Sequence, residues 1–521
     1  MKKLTIKEIT DSPSINIILD TIELKKQALV FCNTRKSAES TAEKISYKLK
    51  SDKKLEELSE KILKVLSSPT KQCKRLAACV KKGSAFHHAG LVSQQRKLIE
   101  DNFRAGIIKV ICSTPTLAFG INMPAFRAVI RNLKRYGGRW GMQYIPTLEY
   151  HQMAGRAGRP DFNDEYGEAI CIAANESDRE EILNRFIKAP PEKILSKLAV
   201  EPVLRMYCLS LIATGFAKSK NDLVEFFSRT FYGKQYGDMA DIENKIEKIL
   251  KYLEEWEFIK STSKEDFVSA NSFSKNEDRI ETTKLGQRVS ELYIDPYTAF
   301  YIITALRRAS QKRTTEFSYI QMACSTLELR PLPTVYKNEI DKIESELGDL
   351  SSELIIFEPS VFEPEYDKFL SSIKLSLALN DWMNEKDEDY ILEKFKIIPP
   401  GILHTKKNLC DWILYAAEEL ANLLNFRNII KHIRKTRFRL DKGIKEELIP
   451  LARIKNIGRV RARKLYRNGI KNIGDIKKTN IAKLSQLLGR KTALNLKEQV
   501  GEKIKKVSKG KRKGQTSIEK Y

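Results

Sequence analysis

The sequence predicts a multidomain α/β plus α protein, with one parallel-sheet domain first and helical modules after it. Three observations predict this. Short apolar runs alternate with helical patterns over residues 1–188, the pattern of a parallel sheet with helices on its faces. Helical periodicity dominates from residue 189, with one polar interruption at 261–276. Glycine is then sparse through the amphipathic stretch 301–445, as in a helical bundle.

The elements follow in order. Ala28-Leu29-Val30-Phe31-Cys32 is a buried-strand run ending in Asn33-Thr34-Arg35, and helical periodicity follows from Ser37 to about Lys50. Ile107 to Cys112 and Ala169 to Ala173 are further strand runs. Between Lys134 and Tyr144, Gly137-Gly138 separates aromatic-containing runs, which reads as a hairpin tip. Ile242, Ile246, Ile249, Leu250 and Leu253 share one helix face. The polar stretch 261–276 reads as a β wing, and Thr283-Lys284-Leu285-Gly286 restarts a helix. Three helices and a wing predict a winged-helix fold over 189–300. Residues 446–503 form a compact basic helical unit. The Lys/Gly-rich tail, 504–521, is expected to be disordered.

Composition narrows the function. The net charge is +26 and the pI about 9.5, which fits a polyanionic partner, most simply nucleic acid. The eight cysteines are scattered, with no CxxC pair and no Cys/His cluster at zinc spacing. They read as reduced thiols. No apolar run approaches a membrane span, and the N-terminus has no signal-peptide core. The expectation is a cytoplasmic protein with no membrane partner and no metal site of its own.

The chemistry concentrates in Gln152-Met153-Ala154-Gly155-Arg156-Ala157-Gly158-Arg159-Pro160. Two arginines three residues apart suit the far wall of a nucleotide-hydrolysing site, where charge spreads over the γ-phosphate. Upstream, Ser113 to Pro124 is a hydroxyl-rich loop after a strand, the place where α/β sheets bind ligands. In that loop Gly120 allows close backbone approach, and Asn122 offers a donor and an acceptor.

Four segments taken together resemble motifs IV, IVa, V and VI of superfamily 2 helicases. They are Leu29 to Arg35, Phe86-His87-His88-Ala89-Gly90-Leu91, Thr114 to Pro124, and Gln152 to Pro160. The chain is most similar to the archaeal Hjm-type, Ski-two-like DNA repair helicases. The likeness continues through Leu292 to Pro296, Asp381-Trp382, Pro400-Gly401, Asp411-Trp412, Gly443 to Leu448 and Ile457 to Tyr466. It implies a second RecA-like domain (1–188), a winged helix (189–300), a helical ratchet domain (301–445) and a helix-hairpin-helix domain (446–503).

The resemblance also implies roles. Arg156 and Arg159 would be arginine fingers facing ATP, with Gln152 orienting water or phosphate. Gly120 and Asn122 would contact the nucleotide. Thr114 would touch a nucleic-acid phosphate, and Asn33, Arg35 and His88 belong to nucleic-acid-facing motifs. The hairpin would split the duplex, with Tyr136 and Trp140 stacking on the last base pair, unless it is an ordinary surface hairpin. Trp412 would stack on single-stranded bases from the ratchet helix, or else is plain core. The arginine usual two turns earlier is Thr405 here, so Lys406 and His404 are the basic neighbours.

Near the C-terminus, Gly458 frees backbone N–H groups for a phosphate, and Arg459, Arg461 and Arg463 add sequence-independent attraction. A brace for the bundle is the alternative. Asn456 replaces the usual first glycine of the hairpin, and Asn tolerates positive φ. Gln515, Ile518 and Tyr521 resemble the box that plugs into the sliding clamp (PCNA), short of its second aromatic.

The departure from the family is the missing near wall. No GxxxxGK[ST] loop occurs in the 521 residues. Asp387-Glu388-Asp389 imitates a DExx box but reads as a solvated helix end. The phosphate lysine and the Mg²⁺ ligands are therefore expected on a first RecA-like domain in a separate chain, or the chain is a truncated form. The expectation is the C-terminal half of an ATP-dependent 3′–5′ DNA helicase acting on single-stranded and branched DNA. The alternatives are a clamp-tethered DNA-binding adaptor without a motor and an RNA helicase fragment.

Overall fold

The computed structural model describes residues 5–66, 69–119, 123–136, 142–158, 164–237, 239–262, 279–396 and 398–501. Among these, buried apolar side chains group into three cores.

The first core runs from Ile15 to Phe186 and surrounds a parallel sheet. Its strands are β1 (Ala28–Phe31), β2 (Ser84–His87), β3 (Val110–Ser113) and β4 (Arg127–Ile130). The hairpin strands β5 (Lys134–Tyr136) and β6 (Met142–Tyr144) come next, and β7 (Glu168–Cys171) completes the sheet. The sheet order is β2-β3-β1-β4-β7, while β5 and β6 pair antiparallel apart from it. Ala28 is in register with Val110 on one side and Arg127 on the other. The helices are α1 (Pro13–Glu23), α2 (Arg35–Ser46), α3 (Lys53–Leu63) and α4 (Lys71–Val80). They continue with α5 (Ser93–Arg104), α6 (Thr147–Ala154) and α7 (Glu176–Ile182). Side chains of Thr34, Asp52, Thr70 and Asn175 accept first-turn N–H groups and start four of these helices.

Two strands were hidden in the sequence. In β4, Arg127 interrupts the apolar run, yet its side chain is buried. It meets the Glu168 and Asp20 carboxylates, the Ile17 carbonyl and the Thr21 hydroxyl. In β2, Ser84 and His87 break the pattern, and both are buried.

The second core runs from Leu204 to Leu440 and joins two regions that the sequence separates at residue 300. Its helices begin with α8 (Glu201–Ala213), α9 (Lys220–Ser228), α10 (Phe231–Tyr236) and α11 (Met239–Glu255). A hairpin of β8 (Ile259–Thr262) and β9 (Arg279–Thr282) follows, then α12 (Lys284–Glu291). Among the described residues four α-helices precede the wing and one follows it, where the sequence predicts three helices and a wing, and residues 263–278 lie outside the described part. Ile242, Ile246, Ile249 and Leu253 are buried along α11, and each stabilises the fold by about 1.5–3 kcal/mol. Gly286 in α12 is there for space: a Cβ would lie 1.9 Å from the Phe258 carbonyl oxygen.

The same core continues through α13 (Pro296–Ala309), α14 (Glu316–Cys324), α15 (Ile340–Leu350) and α16 (Tyr366–Met383). It ends with α17 (Glu388–Phe395), α18 (Pro400–Leu423) and α19 (Arg427–Lys442). Arg205 of α8 fastens that helix to the start of α13. Its guanidinium grips both carboxylate oxygens of Asp295 at 2.8 Å and lies 5.6 Å from the rings of Trp256 and Tyr297.

The third core, Ile444 to Val500, holds α20 (Ile449–Ala452), α21 (Arg459–Arg467), α22 (Ile473–Lys478), α23 (Ile481–Leu488) and α24 (Arg490–Gln499). Asn456 adopts φ +68°, the left-handed conformation expected where a glycine is usual.

Candidate nucleotide and nucleic-acid site

Helix α6 carries Gln152. The carboxylate of Glu192 accepts the N–H groups of Thr147 and Leu148 at its start. Those backbone bonds hold the Glu192 carboxyl down at about 2. After α6 the chain turns at Gly155, and Arg156 Nη2 donates to the Ala118 carbonyl at 2.5 Å. Ala118 ends the short 3₁₀ turn Pro115–Ala118 that follows β3. The backbone then threads a narrow slot. Ala125 N–H donates to the Arg156 carbonyl (2.8 Å), and Gly158 N–H donates to the Ala125 carbonyl (2.7 Å). Gly158 has φ +98°, and a Cβ on Gly167 would sit 2.1 Å from its nitrogen. Glycine is required at both places.

Three polar atoms at this end of the sheet are buried without a hydrogen-bond partner, His87 Nδ1, Ser113 Oγ and Gln152 Oε1. A buried orphan acceptor costs about 1–3 kcal/mol. Gly120, Asn122 and Arg159 lie outside the described residues. Among the described residues no group of His, Cys, Asp and Glu is arranged to hold a metal ion.

Of the residues expected to face nucleic acid, Thr114 is half-buried, with its hydroxyl 2.9 Å from that of Thr116. Asn33 donates to the Lys134 carbonyl (3.2 Å), which ties the loop after β1 to the β5–β6 hairpin. Arg35 is half-buried, and burial pulls its guanidinium below the ordinary range against the pull of Glu39. Trp140 and the side chain of Tyr136 lie outside the described residues. His88 departs from expectation. It is fully buried, with Nε2 3.1 Å from the Glu39 carboxylate and Nδ1 accepting the Gly90 N–H at 3.1 Å. Its ring stacks on Phe86, so its contacts are internal.

Lys406 departs in the same way. It is buried, and its ammonium donates to the Leu329 carbonyl at 2.6 Å. Burial lowers its pKa. Trp412 is half-buried against the bundle core and donates its indole N–H to the Leu292 carbonyl at 3.2 Å. It nevertheless lies on the outward stripe of α18, in step with exposed Thr405, Asn408 and Tyr415. Asn408 and Tyr415 escaped the sequence reading, although their spacing from Trp412 was the available signal. The Arg437 guanidinium lies 5.0 Å over the Tyr415 ring.

In the third core, Gly458 is exposed at the start of α21. Arg459 lies 4.4 Å over the Trp382 ring and donates to the Lys386 carbonyl. Arg463 forks onto Glu385 at 2.7 and 2.6 Å and reaches Glu447. These two arginines brace the module against the bundle, and Arg461 is the exposed one of the three. A second hairpin, missed in the sequence, joins α23 to α24 at Gly489 (φ +84°), with Arg490 and Lys491 exposed beside it. Its signal was Leu488-Gly489-Arg490, which repeats Ile457-Gly458-Arg459. Asp387 caps α17 as a helix start, but Glu388 is buried rather than solvated. Gln515, Ile518 and Tyr521 lie outside the described residues. All eight cysteines are free thiols, and among the described residues no helix is long and apolar enough to cross a membrane.

Comparison with known proteins agrees along the chain. Residues 13–161 match the helicase conserved C-terminal domain, 167–260 a helix-turn-helix domain, and 317–443 domain 4 of archaeal helicases. Residues 448–502 match a SAM-like helix-hairpin-helix tandem, which accounts for the second hairpin. The ATP-dependent DNA helicase Hel308 of Methanococcus vannielii is 39% identical over 95% of this chain and 68% of its own length. That of Pyrococcus horikoshii is 37% identical over 95% of this chain and 66% of its own length. That of Methanocella arvoryzae is 36% identical, with 96% and 66% covered. The chain thus spans about two thirds of the length of these relatives. With its RecA-like domain, winged helix, archaeal helicase domain 4 and helix-hairpin-helix module all matched, the chain belongs to the Hel308 family of archaeal superfamily 2 DNA helicases.

Proposed function

We propose that this chain supplies the far wall of the ATP site and the DNA grip of a 3′–5′ DNA helicase acting at forks and junctions. A first RecA-like domain with the phosphate loop and the Mg²⁺ ligands would complete that site. The observation that carries this is the orphan Gln152 Oε1, one helical turn before an Arg156 held on the Ala118 carbonyl, in a sequence with no GxxxxGK[ST]. Arg156, Gln152 and Arg159 would hold the triphosphate end of ATP, which supplies the free energy of the cycle. An adaptor without a motor has no use for these residues. Thr114, Asn33 and the α18 stripe around Trp412 would track a single strand, and the hairpin would part the duplex. The last residues, Gln515 to Tyr521, would tether the protein to the sliding clamp.

The test is reconstitution. The purified chain alone is expected to bind single-stranded and forked DNA without hydrolysing ATP. Adding a first RecA-like domain with GxGKT and DExH motifs is expected to start DNA-stimulated hydrolysis. Robust hydrolysis by the chain alone overturns the division of the motor. Failure of every such domain to restore hydrolysis leaves the adaptor reading in its place.

A further inference from the structure

We propose that loop 354–365 is a docking surface for a partner protein that presents a basic groove with apolar pockets. It rests on residues that neither ATP hydrolysis nor the DNA grip uses. Residues 339–367 hold ten carboxylates and one lysine, a net charge of −9, in a chain whose net charge is +26. Within them the triplet Phe-Glu-Pro occurs twice, as Phe357-Glu358-Pro359 and Phe362-Glu363-Pro364. Both rings are in water: Phe357 is 68% exposed and Phe362 98%, with Val361 between them at 65%. Glu358, Glu363 and Glu365 are exposed beside them.

The fold holds this display in place. Leu354 and Ile355 are buried at one end of the loop, and Tyr366 and Phe369 at the other. The Gln321 side chain donates to the Ile356 carbonyl at 3.3 Å and accepts the Ile356 N–H at 3.2 Å. The Ser360 carbonyl accepts the Glu363 N–H at 2.9 Å, which closes the turn that carries Phe362. The Arg308 guanidinium lies 4.4 Å over the Phe357 ring. Beside that ring opens a cavity of about 400 Å³, lined by Tyr297, Tyr301, Leu332, Ile356, Phe357 and Phe369. Large apolar side chains kept in water on an anchored backbone mark an interaction site. The rings and the cavity supply area to bury, and the carboxylates select the sign of the partner. The same charge decides against other occupants. Nucleic-acid phosphates and anionic lipids are repelled, and so is the identical face of a second copy.

Photo-crosslinking in the full chain tests this. p-Benzoylphenylalanine in place of Phe362 is irradiated in an extract of the source organism, with the same group in place of Tyr47, 84% exposed, as the control. Position 362 is expected to capture one other protein through a Lys/Arg-rich peptide, and position 47 is not. That protein, purified, is expected to bind the unlabelled chain, and Phe362→Ser to weaken the binding by about tenfold or more. Glu358→Gln with Glu363→Gln is expected to weaken it at low salt and to flatten its salt dependence. Both variants are expected to keep the melting temperature and the affinity for single-stranded DNA. Capture of DNA, of a second copy, of residues 502–521 or of a peptide without basic residues overturns the proposal. So does capture no greater than at position 47, or equal binding of the purified protein by the unaltered chain and both variants.

Discussion

Arg205→Met isolates the buried contact between α8 and the start of α13, the helix that leads from the winged helix into the bundle. Arg205 and Asp295 keep side-chain exposures of only 6% and 9%, and two parallel bonds of 2.8 Å join them. Methionine fills much of the same volume but leaves the Asp295 carboxylate with the Tyr297 N–H and no cation. Breaking a buried pair from one side commonly costs about 3–5 kcal/mol, because the remaining charge stays desolvated. At roughly 2–4 °C per kcal/mol for a unit of this size, the melting transition of the second core should fall by about 6–20 °C. Trp256 lies beside the guanidinium, so its fluorescence reports the change during urea unfolding. Asp295→Asn combined with Arg205→Met should recover part of the loss, since the stranded charge is then gone. A loss below about 1 kcal/mol, the value of an exposed pair, refutes the reasoning. So would winged-helix and bundle transitions that already separate in the unaltered chain.

Other predictions follow from the same geometry. Burial, with Lys407 and Arg459 nearby, lowers His404 to about 4 from an ordinary 6.5. The unfolded chain binds this proton first, so stability is lost as pH falls below 6.5, by up to about 2 kcal/mol at pH 5. His404→Phe should flatten the melting temperature between pH 7 and 5 if this group carries the slope. Trp412→Ala should weaken single-stranded DNA binding by about 1–3 kcal/mol in fluorescence anisotropy. Trp412→Phe should retain most of that binding, and a lower melting temperature with unchanged affinity would make Trp412 core alone. In the reconstituted motor, Arg159→Ala should slow ATP hydrolysis by about 10³-fold or more, measured by phosphate release, while DNA affinity stays level. Gly286→Ala should unfold the winged helix, seen as loss of the second-core transition, because its Cβ meets the Phe258 carbonyl oxygen.

Local pattern was enough for much of this protein. The strands at Val30 and Val110 are runs of apolar residues because both faces of a parallel sheet are buried there. The buried face of α11 follows the helical repeat, and the left-handed turn at Asn456 follows from a residue type that tolerates it. The glycine at 158 was legible because close backbone passage at positive φ demands it. Other features were decided only by the tertiary structure. Arg127 lies in a central strand because Asp20 and Glu168, distant in sequence, neutralise it there. His88, Lys406, Arg459 and Arg463 look like DNA contacts in one dimension, since a cation carries the same letter whether free or paired. Their partners Glu39, Leu329, Trp382 and Glu385 come from remote segments, and the burial of a charge depends on what the fold brings beside it. The single core across residue 300 has the same origin. Periodicity records which face of an element is apolar, but not which other element will cover it.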